Sequence, residues 1–171
     1  LTLLDGRELE AVLAHELAHY RLWELDDGRF HIADRLLTAV ANDPRASAAQ
    51  RETARRYRLY TEIYADRGGL LGCGELNAAV GALVKLQAGL ASVSPSSYLR
   101  QAEEIFSKSG ARTDGVSHPE VFVRARALRL WAEEVAELDD WLPAVIEGDL
   151  AVDSLDLLGQ GRALGFTRRF L

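Results

Sequence analysis

The chain has 171 residues, 48% hydrophobic and 27% charged, the balance of a folded globular domain rather than a disordered one. A net charge of −6 argues against a nucleic-acid surface, which needs a basic stripe. The single cysteine excludes an internal disulfide and a four-cysteine metal site. No charge-free apolar run reaches the 18 residues of a membrane span, and no secretory signal opens the sequence. There is no methionine and the pattern begins abruptly at Leu1, so the chain reads as part of a longer protein. The compartment is therefore not fixed, with the cytoplasm favoured.

Nearly every segment shows helical rather than strand periodicity. Asp5 is a candidate N-cap with Glu8 in capping-box register, and Leu9, Val12, Leu13, Leu17 and Leu22 carry a helix to about Leu25. Asp26-Asp27-Gly28 stops it. A short helix spans about 31–41, before Pro44. A long one spans about 46–68, and its Gly68-Gly69 pair either ends it or lets it pack closely. Further helices are expected over about 75–90, 98–108 and 119–138, the last opened by Pro119 and broken by the acidic stretch around Asp139. A polar loop covers 109–117. The tail from Trp141 has a weak helical pattern and several glycines. The expected fold class is mainly α, with a core over 1–138 and an acidic, helical extension over 139–171.

The chemistry sits in the first helix, at His15-Glu16-Leu17-Ala18-His19. Histidines at i and i+4 stand one above the other on a helix face, so both imidazoles can reach one zinc ion at about 2.0–2.1 Å. Glu16 is rotated by about 100° from His15; it misses the metal but reaches a water beside it, as a general base must. The apolar flanks Leu13, Ala14, Leu17 and Ala18 predict a buried helix and a dry site. Chance produces this pattern in well under about 1% of such chains. The plain alternative is a buried helix whose histidines find hydrogen-bond partners.

Catalytic zinc takes three protein ligands and keeps one open position. Sites that continue the motif with a glycine and a third histidine are excluded, because Leu22 and Leu25 occupy those places. The other class takes a glutamate from a separate helix, for which Glu62 is the candidate. Asp66, one turn further on, can accept the ring N–H of a ligating histidine and fix its tautomer. The alternative is that both acids form a solvated helix face. His31 reads as a surface or capping residue, Cys73 as a small buried filler, and Trp23, Trp131 and Trp141 as core. Arg55, Arg56 and Arg58 read as a solvated face.

Three runs occur in order: Glu10-Ala11-Val12-Leu13-Ala14-His15-Glu16-Leu17-Ala18-His19, then Glu62-Ile63-Tyr64-Ala65-Asp66, then Ser117-His118-Pro119 with Arg124 following. Together they resemble the HtpX-like and CAAX-prenyl-protease-like zinc metallopeptidases of the gluzincin clan, over roughly residues 4–131. The resemblance implies one zinc per chain, with His15, His19 and Glu62 as ligands and Glu16 as catalytic base. It implies a role for His118 and Arg124 near the oxyanion or the metal. It also implies hydrolysis of peptide or unfolded-protein substrates. Residues 20–61 are rich in Arg, Asp and Glu, which matches the soluble branch rather than the membrane-embedded one. The strands that usually precede the first motif fall outside this sequence. On this reading His118 is the first candidate for the oxyanion donor and Arg124 the second. The competing expectation is a latent or non-catalytic metal-binding helical regulatory or scaffold domain, in which His118 would close the fourth position. An intact Glu16 argues against a vestigial site.

Overall fold

The computed structural model describes residues 3–109, 119–148 and 155–169. Among them there are helices and no strand: α1 (Gly6–Glu24), a 3-10 turn (Leu25–Gly28), α2 (Arg29–Asn42), α3 (Ala48–Cys73), α4 (Leu76–Ala88), α5 (Pro95–Ser109), α6 (Pro119–Ala132), α7 (Leu138–Glu147) and α8 (Leu157–Thr167). The mainly α expectation is met.

Two capping boxes set the starts of the helices that matter most. Asp5 and Glu8 exchange hydrogen bonds at the head of α1, and Ser47 and Gln50 do so at the head of α3, each satisfying backbone N–H groups that lack intrahelical partners. Glu8 Oε2 also accepts from Lys85 Nζ at 2.8 Å, so the start of α1 is tied to α4 by a buried pair. The turn after α1 reverses through three consecutive left-handed residues, Asp26 (φ 53°), Asp27 (φ 54°) and Gly28 (φ 78°), a conformation aspartate and glycine tolerate better than other residues.

α1 and α3 form the most extensive helix pair, and small residues make it possible. Gly68, Gly69 and Gly72 of α3 lie against Ala18, Ala11 and Ala14 of α1; a Cβ on Gly69 would stand 2.8 Å from the Ala11 carbonyl oxygen. The Gly68-Gly69 pair therefore permits close packing, and α3 continues through it to Cys73. α6 runs between two cores. Val121, Ala125 and Leu128 join Ala11, Val80, Leu83, Val84 and Leu99 on one side. Val123, Ala127 and Leu130 join Leu59, Ile63, Phe106, Trp141 and Ile146 on the other.

Several expectations need correction. α6 ends at Ala132, earlier than 138, where Glu134 takes φ 52°; Asp139 and Asp140 lie in the first turn of α7, where acidic side chains favour the helix dipole instead of breaking a helix. The outer flank of α1 is not buried: Leu13 is 56% and Leu17 67% exposed. Of the tryptophans only Trp141 is buried; Trp23 and Trp131 are half-buried. Arg56 is not part of a solvated face. It pairs with Glu52 and the buried Asp156 and donates to the Glu147 carbonyl, fastening α7 and α8 to α3. Cys73 is buried as expected.

Candidate metal centre

The inner face of α1 presents His15 and His19 one turn apart, and α3 presents Glu62 and Asp66 one turn apart. Because the glycines of α3 bring the two helices close, these four side chains meet. His15 Nε2 lies 3.2 Å from His19 Nε2 and 3.7 Å from Glu62 Oε2. His19 Nε2 lies 3.6 Å from Glu62 Oε1. Two ligands at about 2.0–2.1 Å from a tetrahedral ion stand about 3.3 Å apart; the two histidine nitrogens match that spacing, and one donor atom from each of the three residues lies within 4.8 Å of the others. Among the described residues this trio is the group of three His, Cys, Asp or Glu side chains with metal-binding spacing.

The chemistry of the donors agrees with the spacing. Asp66 is 6% exposed and its Oδ1 lies 3.1 Å from His15 Nδ1. Burial pushes the Asp66 carboxyl up, but hydrogen bonds from Arg124 and His15 outweigh it and hold the group below the ordinary carboxylate range. An ionised Asp66 can only accept, so in the neutral His15 ring Nδ1 carries the hydrogen and Nε2 offers its lone pair. Burial holds His19 below the usual histidine value; His15 adds to this and Glu62 opposes it. Two imidazoles and a carboxylate thus converge in a group that could hold a metal, and the donor set of two nitrogens and one oxygen fits zinc.

Glu16 lies on the wall of the same cavity, which has a volume of about 350 Å³ and is also lined by His15, His19, Glu62 and Arg124. Ala79, Ala82, Leu83, Leu86 and Gln87 of α4 also line it. Glu16 is exposed and stands beside the histidines without occupying a ligand position. Arg124 reaches the site from α6: Nε and Nη2 donate to the two Asp66 oxygens at 2.6 and 2.7 Å, and Nη1 stands 3.0 Å from Glu62 Oε2. His118 lies outside the described residues. Trp23 packs near His19, with ring centroids 6.3 Å apart, and edges against the exposed His31 at 5.2 Å. The Lys85–Glu8 pair escaped sequence reasoning. Its one signal was a lone lysine, Lys85, inside the otherwise apolar run 78–86.

Residues 1–132 match the model of peptidase family M48. The chain is also similar to the plastoglobule-localized metallopeptidase 48, chloroplastic, of Arabidopsis thaliana, with 29% identity over 153 residues; the match covers 79% of this chain and 44% of that relative. The chain thus spans less than half the length of the curated relative. No solved structure matches it. No helix among the described residues is long and apolar enough to cross a membrane. The relative's name gives the cytoplasmic expectation no support.

Proposed function

The chain belongs to peptidase family M48, and from that premise we propose that it is a zinc metalloendopeptidase acting on peptide or unfolded-protein substrates. The observation that carries this reading is the convergence of His15, His19 and Glu62 at 3.2–3.7 Å in one open cavity that Glu16 also lines. His15, His19 and Glu62 would hold one zinc. When bound, zinc supplies a Lewis acid that polarises a carbonyl and lowers the pKa of water toward about 7.

The chain's own residues do the rest. Glu16 takes a proton from the attacking water and returns it to the leaving amine. Asp66 keeps His15 in the tautomer that faces the site. His118 as oxyanion donor rests on the family resemblance alone. The division into a core over 1–138 and an extension over 139–171 is likewise part of the proposal; the packing of Trp141 and Ile146 against Leu59 and Ile63 gives the two parts a common core.

Metal analysis and a cleavage assay on unfolded protein test the reading together. The purified chain should hold about one zinc, and His15→Ala or Glu62→Ala should lose most of it. Glu16→Gln should keep zinc and fold yet lose hydrolysis. Full zinc retention in Glu62→Ala would remove the third ligand, and activity surviving in Glu16→Gln would remove the base.

A further inference from the structure

Arg124 is placed differently from a substrate-facing donor. Its side chain is 9% exposed, enclosed where α6 passes between the two cores. The guanidinium meets Asp66 side-on with Nε and Nη2, at 2.6 and 2.7 Å, while Nη1 faces Glu62 at 3.0 Å. Each of its three nitrogens already addresses a carboxylate of the chain itself. These contacts direct the guanidinium at the chain's own carboxylates, Nε with its single hydrogen at Asp66.

The two carboxylates need such a partner. Glu62 and Asp66 stand one turn apart on α3, where like charges repel, and Asp66 is almost wholly removed from water. One must point to the ion position and the other to His15 Nδ1, 3.1 Å away. Arg124 is the cation that both carboxylates meet. Its planar fork also fixes the Asp66 carboxylate in rotation, which a point charge on a flexible stem cannot do.

Resting on the zinc reading above, we propose that Arg124 is a positioning residue, not an oxyanion donor: it neutralises and aims the Glu62–Asp66 pair so that the site is assembled before the ion arrives. Asp66 then passes this order on to His15, and Glu62 receives it directly.

Zinc affinity, measured on the whole chain by competition with a chromophoric chelator, tests the proposal without reference to turnover. Arg124→Met should weaken zinc binding by about 10–100-fold, as loss of a group that orients ligands does. Arg124→Lys should recover only part of this, because it restores the charge without the fork. Combining Arg124→Met with Asp66→Ala should cost less than the product of the two single losses, since both act on His15. Circular dichroism identifies variants that fail to fold; if Arg124→Met is one, Arg124→Lys carries the comparison and must still bind more weakly than the wild type. Wild-type affinity in the folded Arg124 variants, losses that simply multiply, or a fall confined to kcat would each overturn the proposal. A wild-type chain that binds no zinc would overturn the metal reading itself, a distinct result.

Discussion

The contact between Gly68 and Ala18 offers a direct test of how the two helices of the candidate metal site are held together. Substituting Gly68→Ala adds a methyl group that would overlap the Ala18 methyl, and Ala18 has no flexible side-chain end that could move aside. Overpacking of this kind costs roughly 1–3 kcal/mol, while replacing a helical glycine by alanine returns about 1 kcal/mol. The net loss is about 1 kcal/mol at the middle of that range. Ala18→Gly alone should also cost about 1 kcal/mol, through helix propensity. The double variant exchanges the small and large partners across the interface, so both terms cancel and stability returns to near the wild-type value. The coupling is then about 2 kcal/mol, well above the additivity error of distant sites. In a chain of this size each 1 kcal/mol moves Tm by about 2–4 °C, so thermal unfolding followed by circular dichroism resolves the cycle. Gly161→Ala is the control, because a Cβ there meets nothing within 4 Å, and it should stabilise. If Gly68→Ala stabilised the chain as Gly161→Ala does, α1 and α3 would not touch there, and the account of how the ligands converge would fail.

Lys85→Met should cost about 3–5 kcal/mol in urea unfolding, because it strands the buried Glu8 carboxylate without its cation; a near-neutral result would show that Glu8 is solvated. Glu134→Gly should stabilise by up to about 1 kcal/mol by relieving the left-handed backbone at φ 52°; destabilisation would refute that conformation. Burial pushes Tyr60 up to about 12, assisted by Glu147, and burial alone does the same to Tyr98. Unfolded tyrosine ionises near pH 10, so these two phenols favour the folded state fully below pH 10 and lose that contribution as pH rises toward 12. Phenolate absorbance should show both titrating late; all five tyrosines ionising together near pH 10 in the folded chain would contradict it.

Much of this architecture is written locally. Asp5-x-x-Glu8 and Ser47-x-x-Gln50 are capping boxes whose bonds form within four residues, and the first was visible in the sequence for that reason. The i, i+4 pairs His15/His19 and Glu62/Asp66 need only helical geometry to share a face. What depended on distant packing was harder to see. The apolar flank Leu13–Leu17 looks like core in a helical wheel, yet the described helices pack only on the opposite side of α1. Arg56 sits in a run of arginines that suggests a solvated face, but its partner Asp156 is a hundred residues away and meets it only once α8 folds back on α3. The end of α6 was misplaced because Asp139-Asp140 suits a helix start as well as a helix break.

Arg124 shows most clearly where local reading stops. Its position after His118-Pro119 suggested a donor near the oxyanion or the metal, and spacing alone does not separate those roles. The separation comes from α6 having apolar rows on two sides, Val121–Ala125–Leu128 and Val123–Ala127–Leu130, which bury it between two cores. Arg124 is only 7% exposed, so its charge is met by carboxylates inside the protein, and α3 supplies two of them at the adjoining face. The charge that would help a developing oxyanion is here directed at Asp66 and Glu62. The same burial makes its loss a matter of metal affinity before it is a matter of turnover.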